Sequence, residues 1–378
     1  MSKKENLTAL VTGAHGHTGT FLVKALLDKG YKITATDLRP LERKKIMTKE
    51  TLYRNDLTQE NVDHPSVTFI AADLTDKESL KVLWDGGKQY DVIFHPASLY
   101  DYFAELYILM KINVDGTRNL LDVICEKQPN NLPRFIHWST CGVFGSTKYD
   151  IKKDKNGKKY RVPADETAPF NPPNHYCTSK MFQEFVVYEF YQDKKVPMTI
   201  LRSQPIAGKA QLYGAFNLFY MIYKFGNMLV PVVYPPEKQN HMPAVHVEDL
   251  VDAAIFCFEH DETIGEAYIV GCDNCSQTEF MDYLCSITDC STVVIPVWYK
   301  LYNIGAKLAE WWFGKQILKA RKWKMRPMID GPMLEYISHE YFFSNEKLKK
   351  LGFKYKYPTV IDTVRDSVRW YIDNGWFE

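Results

Sequence analysis

The chain has 378 residues, enough for one large or two closely associated domains. Its 47 basic and 46 acidic side chains leave a formal net charge of +1, without the basic surplus that phosphate-backbone binding requires, so nucleic acid is not expected as a partner. No apolar run reaches the roughly 18 residues that cross a bilayer, and MSKKENLTALVTG enters a strand pattern instead of a secretory signal, which predicts a cytoplasmic protein with reduced thiols.

Short apolar runs alternate with helical periods over the first 140 residues. LTALVT, KITATD, VTFIAAD, DVIFHPA and RFIHWST have the pattern of buried strands, and TGTFLVKALLDKG and MKINVDGTRNLLDVICEK that of helices. This alternation predicts the doubly wound α/β (Rossmann) architecture, a parallel sheet covered on both faces. We assign residues 1–204 to this domain, with a surface hairpin at about 146–162 that turns at Asn156-Gly157.

The second half of the chain is less regular. QLYGAFNLFYMIYKFGNMLVPVVYPP is aromatic and interrupted by Gly and Pro, whereas AVHVEDLVDAAIFCFEH again has the pattern of a strand followed by a helix. We therefore predict a smaller, mixed substrate-binding region over residues 205–378, of which about 244–270 return to the first domain.

The second half also contains a group of four cysteines and a basic, Trp-rich stretch. Cys272 and Cys275 form a CxxC pair, but Cys285 and Cys290 follow at a spacing that does not match a second zinc knuckle, so no metal site is predicted. Residues 297–327 are Trp-rich and basic. Such a stretch suits a membrane surface, but an ordinary lid helix is the commoner explanation, and we favour the lid.

LVTGAHGHTGTF is the strongest local motif. Its three glycines, Gly13, Gly16 and Gly19, fall between the first strand and the first helix. The first glycine permits a tight turn, the second lets the backbone approach a diphosphate, and the third allows close packing of the helix. The diphosphate would lie over the helix N-terminus, whose N–H groups favour negative charge. His17 and Thr18, within the turn, are assigned to the same dinucleotide site.

Asp37 ends the second strand, 18 positions after Gly19. A carboxylate at this position accepts hydrogen bonds from the adenosine ribose and repels a 2′-phosphate, so NAD is favoured as the cofactor. Arg39 keeps NADP as the less favoured alternative, because its side chain could reach such a phosphate.

HYCTSK places Tyr176 and Lys180 four residues apart, on one face of a helix. A lysine held beside a phenol favours the phenolate, which makes tyrosine a useful proton-transfer group at neutral pH. The pair alone is weak evidence, since an exposed Tyr-Lys pair is usually a solvated helix face.

Together with the glycine motif, the YxxxK pair makes the chain resemble the extended short-chain dehydrogenase/reductases, especially their 3β-hydroxysteroid dehydrogenase and dihydroflavonol reductase branch. The resemblance covers nearly the whole chain and also rests on AADLTD, FHPAS, KINVDGTRNLL, STCGVFG, LRSQPIAG and VHVEDLVDAA. It implies a homodimer, with Tyr176 and Lys180 catalytic alongside two further residues, Thr140 and Asn113. It also implies further cofactor contacts from Asp73, Leu74, Pro96, Ala97, Ser98 and Gln204.

The resemblance also helps to choose among reactions. Related sugar dehydratases carry an Asp-Glu pair directly after the catalytic Thr, where this chain has Cys141 and Gly142. Arg202 is followed by SQP, without the Asn that galactose-type epimerases place three residues later. We therefore predict an NAD-dependent oxidoreductase that interconverts a secondary alcohol and a ketone. A nucleotide-sugar epimerase is the alternative, and a non-catalytic dinucleotide-binding regulator is a third hypothesis.

The aromatic content, 14% of all residues, suggests a pocket for an apolar substrate that is ring-shaped or steroid-like. Core or dimer packing of the same rings is a nearly equal alternative. The substrate contacts predicted on this basis are Ser139, Cys141, Tyr100, Tyr213, Phe216 and Tyr220.

Overall fold

The computed structural model describes residues 7–40, 49–146, 150–153, 155–157, 159–226, 229–235, 240–322 and 340–377. They form two compact units. The first comprises the described residues within 1–143, 174–203 and 247–268, and the second comprises those within 144–173, 204–246 and 269–378.

The strands, in chain order, are β1 (Thr8–Thr12), β2 (Lys32–Asp37), β3 (Val67–Ala71), β4 (Val92–His95), β5 (Arg134–Thr140), β6 (Ile151–Lys153), β7 (Lys159–Arg161), β8 (Met198–Ser203), β9 (Ile206–Ala207), β10 (Leu229–Tyr234), β11 (His241–Met242), β12 (Val245–His246), β13 (Glu266–Val270), β14 (Cys275–Ser276) and β15 (Ser291–Pro296).

The α-helices are α1 (His17–Asp28), α2 (Lys49–Asp63), α3 (Lys77–Leu80), α4 (Leu106–Leu109), α5 (Gly116–Lys127), α6 (His175–Lys194), α7 (Ala215–Phe225), α8 (Val247–Glu259), α9 (Gln277–Ser286), α10 (Tyr299–Lys322), α11 (Glu346–Lys350) and α12 (Val360–Asp373). A π-helix, Met110–Asp115, joins α4 to α5. Short 3-10 turns cover Lys81–Trp84, Cys141–Phe144 and Asp261–Thr263.

A seven-stranded sheet with the order β13-β8-β5-β4-β1-β2-β3 forms the centre of the first unit. The pairs from β3 through to β8 run parallel. Its central strands are buried on both faces, as their near-continuous apolar sequences require. The predicted Rossmann-type α/β fold is confirmed.

Packing of α5 and α6 against this sheet forms one core of the first unit. Leu120 and Ile124 of α5 meet Val186 and Phe190 of α6 beneath Phe135. The Asn174 side chain accepts a hydrogen bond from the backbone N–H at position 177, which caps α6 directly after the helix-breaking FNPPN. This start sets the position of every side chain that α6 contributes to the site.

The second unit is built from short strand pairs and helices. Parallel pairs join β9 to β12 and β10 to β15, and an antiparallel pair joins β11 to β14. Its core contains Phe216 and Phe219 of α7 together with Tyr371 of α12 and the nearby Trp376.

The described residues within 144–173 cluster with the second unit, whereas the sequence pattern predicts a first domain over residues 1–204. The β6–β7 hairpin forms, but residues 147–149, 154 and 158 of the predicted hairpin lie outside the described residues. Its neighbours explain the assignment: Ala164 bridges to Phe343, and the Glu166 carboxylate accepts a hydrogen bond from the Ile269 N–H at 2.8 Å. Hydrogen bonds that distant in sequence carry no local signal.

Across the described ranges, no helix is both long and apolar enough to cross a membrane. Within the same ranges, no three His, Cys, Asp or Glu side chains gather where they could hold a metal ion.

Candidate active site

The turn between β1 and α1 requires glycine for two different reasons. Gly13 has a φ of +62°, in the left-handed region, and a Cβ there would lie 2.9 Å from the Cα of Ala97. A Cβ on Gly19 would lie 2.1 Å from the carbonyl oxygen of Gly13. The turn therefore packs so closely against the first helix and the segment after β4 that no side chain fits between their backbones.

The N-terminus of α1 is suited to an anionic group. Its N-cap residue, Gly16, has no side chain to cap the helix, and the first turn carries no acidic residue. The N–H groups and dipole at such an end favour negative charge. His17 is buried and Thr18 is half-buried in this turn. These residues fit the diphosphate of a dinucleotide.

Asp37 turns its carboxylate back onto the glycine turn. Its Oδ2 accepts a hydrogen bond from the His15 N–H at 3.0 Å, and its Oδ1 accepts one from the Leu38 N–H at 2.8 Å. The His15 ring stacks on Phe69 at 4.7 Å, and burial lowers the pKa of His15. A carboxylate at the end of the second strand suits the ribose hydroxyl groups of NAD. Arg39 is exposed.

The segment Pro96–Ala97–Ser98 lies between the glycine turn and α6. Ala97 supplies the backbone that faces Gly13, and the Ser98 hydroxyl accepts a hydrogen bond from the Lys180 ammonium at 2.8 Å. All three residues of the segment are half-buried. This segment therefore connects the predicted diphosphate site to the predicted catalytic lysine.

Asp73 and Leu74 hold the loop after β3. The Asp73 carboxylate accepts hydrogen bonds at 2.8 Å from both the N–H and the hydroxyl of Thr75. The Leu74 carbonyl accepts one from Asn119 of α5 at 2.9 Å. These contacts fix the loop, and contact of the two residues with adenine stays a prediction.

The ammonium of Lys180 is enclosed by oxygen acceptors. Its Nζ donates to Trp138 O and Gln183 Oε1, both at 2.5 Å, in addition to Ser98. Burial lowers the pKa of this amine to about 7, and the charge of Glu184 acts in the opposite direction. An amine with that pKa changes protonation near neutral pH, as expected of a group in proton-transfer machinery.

Gln183 connects Lys180 to a buried hydroxyl and imidazole. Its Nε2 donates to Thr117 Oγ1 at 2.6 Å, and the Thr117 hydroxyl donates to the carbonyl of Asn113 at 2.7 Å. Because that proton is already used, the 2.9 Å contact between Thr117 Oγ1 and His95 Nε2 requires the imidazole to donate. Burial, with the charge of Lys180, lowers the pKa of His95 to about 3, so the ring stays neutral.

Tyr176 lies one turn before Lys180 on α6, among aromatic rings. The Tyr102 ring stacks on it with centroids 5.2 Å apart, and the Tyr100 ring meets it edge-on at the same distance. Tyr176 is 8% exposed, whereas Tyr100 is 40% exposed. These rings offer an apolar, ring-shaped molecule a surface beside the phenol.

Thr140 ends β5 near the first turn of α6. A Cβ on Gly142 would lie 3.4 Å from Thr140 Oγ1 and 2.6 Å from Cys177 Sγ, so both atoms lie close to the same glycine. The Thr140 oxygen accepts a hydrogen bond from the Gly142 N–H at 3.1 Å, which leaves the hydroxyl proton to donate elsewhere. Since Cys177 directly follows Tyr176, Thr140 lies near the end of α6 that carries the phenol.

Asn113 joins the aromatic loop to α6. Its Oδ1 accepts a hydrogen bond from the Leu99 N–H at 2.7 Å, and its Nδ2 donates to Ser179 Oγ at 3.0 Å. The Ser179 hydroxyl in turn donates to the carbonyl of Tyr176 at 2.7 Å. Asn113 thus links the backbone at Leu99 to the Ser179 hydroxyl, which donates to the carbonyl of the predicted catalytic tyrosine.

Ser139 and Cys141, both predicted substrate contacts, make interior contacts. Ser139 Oγ donates to Glu184 Oε1 at 2.5 Å, and Arg202 donates to the same carboxylate over 2.8–3.2 Å. Cys141 is 2% exposed, and its thiol donates to the Arg202 carbonyl at 3.2 Å. A buried carboxylate needs such partners, so the structure accounts for Ser139 without a substrate.

The other predicted residues lie in the second unit. Gln204 is buried against Gly271, and its Oε1 accepts from the Ala244 N–H at 3.1 Å, while its Nε2 has no hydrogen-bond partner within the described ranges. Phe216 is fully buried and packs on Tyr371 at 4.9 Å, which makes it a core residue where a substrate contact was expected. Its position on the inward face of α7 is the reason. Of the remaining two, Tyr213 is half-buried and Tyr220 is 36% exposed.

The sequence motifs do not identify Gln183, Thr117 or the role of His95. The spacing of three between Lys180 and Gln183 was visible, since such residues are neighbours on a helix. Thr117 and His95 come from other elements, so only the folded chain reveals that they converge.

The family model described as "NAD dependent epimerase/dehydratase family" matches residues 9–271 of the chain. Anthocyanidin reductase of Arabidopsis thaliana is 26% identical over 344 residues, which cover 88% of this chain and 92% of that protein. The dTDP-D-glucose 4,6-dehydratase of Dictyostelium discoideum is 27% identical over 54% of this chain and 46% of its own length. This chain spans about half the length of several curated relatives that it matches.

Among solved structures, DesIV from Streptomyces venezuelae, a dTDP-glucose 4,6-dehydratase with NAD and TYD bound, has a similar fold. The TM-score is 0.67 at 20% identity, over 98% of this chain and 99% of DesIV. At this level of identity the likeness shows the fold alone.

Proposed function

The chain belongs to the NAD dependent epimerase/dehydratase family, and from that premise we propose that it interconverts a secondary alcohol and a ketone on an apolar, ring-shaped substrate. The family places it in the extended short-chain dehydrogenase/reductase superfamily, with NAD as the cofactor.

Residues of the first unit would hold NAD. The glycine turn and the N-terminus of α1 would bind its diphosphate, Asp37 its adenosine ribose, and the segment around Ser98 its nicotinamide half. Bound NAD would supply the acceptor or donor of the hydride.

The protein's own part is proton transfer and placement. The Tyr176 hydroxyl would exchange a proton with the substrate oxygen, and the charged form of Lys180, one turn away, favours the phenolate. Thr140 would donate its hydroxyl proton to the same substrate oxygen, since its own oxygen already accepts from Gly142. The oxygens around Lys180 Nζ keep that amine in place while it changes protonation.

The aromatic surroundings of Tyr176 are the observation that carries the substrate class. Tyr102 and Tyr100 place two rings against the phenol, and a flat, apolar substrate would extend this stack. Elimination of water, as in the dehydratases, needs an additional acid and base. The two residues after Thr140 do not supply this acid and base. The Cys141 thiol is buried and donates a hydrogen bond to a backbone carbonyl, and Gly142 has no side chain.

Incubation of the purified protein with NAD and panels of hydroxysteroids, other secondary alcohols and UDP-sugars tests the proposal. We expect NADH absorbance to accumulate with one class of apolar alcohol. Conversion of a UDP-sugar without net NADH would replace the proposal with an epimerase, because epimerases return the hydride to the same substrate.

Tyr176→Phe should abolish turnover and retain NAD binding, measured by quenching of protein fluorescence. Tyr107→Phe is the matched control, since Tyr107 is 72% exposed on the neighbouring α4. Full activity of Tyr176→Phe would refute the assigned proton-transfer group.

A further inference from the structure

The helix α10 is apolar on two opposite faces. On its inward face Ala306 is buried and Tyr302, Phe313 and Ala309 are half-buried. The Tyr302 hydroxyl lies 3.3 Å from the side-chain amide of Gln277 on α9, so this face packs on its own unit.

The outward face of α10 carries large apolar side chains that are left in contact with solvent. At about 100° per residue they occupy an arc of roughly 120°, and each is 55–60% exposed. They are Leu301, Ile304, Leu308, Trp311, Trp312 and Leu318. Trp298, just before the helix, is 75% exposed. We call these seven residues the outward face.

A surface helix of a globular protein normally turns its polar side to water, and a helix that is apolar all round is normally covered. Single exposed apolar residues are ordinary, but a contiguous set this large marks an interaction surface. The neighbouring parallel pair of strands, β10 and β15, also exposes apolar side chains. They are Leu229 and Val233 on β10 and Val293, Val294 and Ile295 on β15.

The charges on α10 indicate what covers the outward face. Its sequence has six basic residues and a single acid, Glu310. Lys300, Lys307, Lys315 and Lys319 are exposed, and the Lys315 ammonium lies 3.9 Å from the ring centroid of Trp311. Lys324 and Arg326, also part of the basic stretch, lie outside the described residues.

A second copy of the chain fits this surface poorly. In a two-fold dimer the same surface meets itself, so the lysines of one copy would face those of the other, and like charges brought together at an interface oppose association. An anionic lipid surface complements the lysines and also accepts the apolar side chains. Tryptophan prefers the boundary between acyl chains and headgroups.

We propose that the outward face of α10 docks the protein on the surface of an anionic phospholipid bilayer, with the helix lying in the plane of the interface. The lysines would contact lipid phosphate and carboxylate groups, while the tryptophan and leucine side chains enter the acyl boundary. This docking does not depend on the proposed reaction.

Co-sedimentation of the full chain with vesicles tests the proposal. We expect binding to mixed phosphatidylcholine–phosphatidylserine vesicles at low salt, with a blue shift of tryptophan emission, and much weaker binding to pure phosphatidylcholine or at high salt. Trp311→Ser/Trp312→Ser should weaken binding by more than about tenfold. Lys307→Gln/Lys319→Gln should weaken it by about fivefold for each lysine.

Matched controls come from exposed residues elsewhere. Tyr107→Ser removes an exposed ring from the first unit, and Lys152→Gln/Lys153→Gln removes two exposed charges from the β6–β7 hairpin. Both should bind vesicles like the wild type, and circular dichroism should show all variants folded. Retained NAD binding by the α10 variants separates this test from that of the reaction.

Two results would overturn the proposal. One is no sedimentation with phosphatidylserine vesicles at low salt. The other is a dimer in light scattering that Trp311→Ser/Trp312→Ser dissociates while vesicle binding is absent, which would assign the outward face to a second copy.

Discussion

The ammonium of Lys180 lies 2.5 Å from the amide oxygen of Gln183, three residues farther along the same helix. The amide nitrogen of Gln183 donates to Thr117, so a single neutral side chain links the amine to a buried hydroxyl and imidazole. The orientation of that amide is determined from both ends, because the ammonium needs an acceptor and Thr117 has already donated its proton.

Gln183→Leu should impair catalysis because it removes a hydrogen bond that stabilises the protonated form of Lys180. A hydrogen bond to a charged group contributes about 1.5–3 kcal/mol, so activity near neutral pH should fall about tenfold or more, and the pH at which the amine loses its proton should move below about 7. The pH profile of kcat/KM measures both effects. Gln192→Leu, exposed on the same helix, is the control. A profile of Gln183→Leu that overlays the wild type would contradict the positioning role.

Lys180 should make stability depend on pH. The pKa of its amine is about 7 in the folded chain against 10.5 when unperturbed. Between these values the unfolded chain binds a proton that the folded chain does not, so the free energy of unfolding rises with pH there. This contribution is complete above 10.5 and lost as the pH falls to about 7. Compared with Lys180→Met, the wild type should gain a few kcal/mol across that window, at about 1.4 kcal/mol per pH unit.

Urea unfolding of the wild type and Lys180→Met at several pH values measures this difference. Lys111→Met, at an exposed position of the π-helix, should track the wild type throughout. A constant gap between the wild type and Lys180→Met across the window would show that the amine keeps its proton in the folded chain.

Gly142→Ala should disturb the catalytic end of α6. The added Cβ would lie 2.6 Å from Cys177 Sγ, so the Cys177 side chain or the first helical turn that carries it must shift. A displacement of that turn reduces kcat by about tenfold or more. Cys177→Ala removes the sulfur, and the double variant Gly142→Ala/Cys177→Ala should regain most of the lost kcat. Failure of the second substitution to rescue the first would mean that the loss has another origin.

Ser139→Ala and Thr140→Ala should separate a structural from a catalytic hydroxyl at adjacent positions. Ser139 donates to the buried Glu184 carboxylate, so its loss should lower the free energy of unfolding by about 1.5–3 kcal/mol and leave KM unchanged. Thr140→Ala should reduce kcat with little change in stability. Thermal unfolding and steady-state kinetics of both variants test this, and a raised KM for Ser139→Ala would restore Ser139 as a substrate contact.

The sheet could be predicted because its strands are nearly all apolar and alternate with helical periods, a pattern that depends on local sequence alone. The close approach of Gly13 and Gly19 to neighbouring backbone follows from the same local motif. The spacing of Tyr176 and Lys180 likewise indicated a shared helix face. Their roles in catalysis, the homodimer and the cytoplasmic location remain predictions.

Composition cannot tell a core ring from a pocket ring, which is why Phe216 was expected at the substrate and lies instead against Tyr371. The lid interpretation of residues 297–327 has the same weakness. Spacing shows that α10 has two apolar faces, but only the folded chain shows that Trp311 and Trp312 face solvent. Long-range partners such as Ala164 and Phe343 have no signal in either segment by itself.

The π-helix at Met110–Asp115 places Asn113 where it can anchor the loop that carries Tyr100 and Tyr102. Its wider turn holds a residue that an α-helix would not accommodate. Shortening the segment by one residue would swing Asn113 around the helix axis by about 100°, away from Leu99 and Ser179. Loop insertions on the surface can be absorbed, but a homologue lacking that single residue would have to anchor its aromatic loop in some other way.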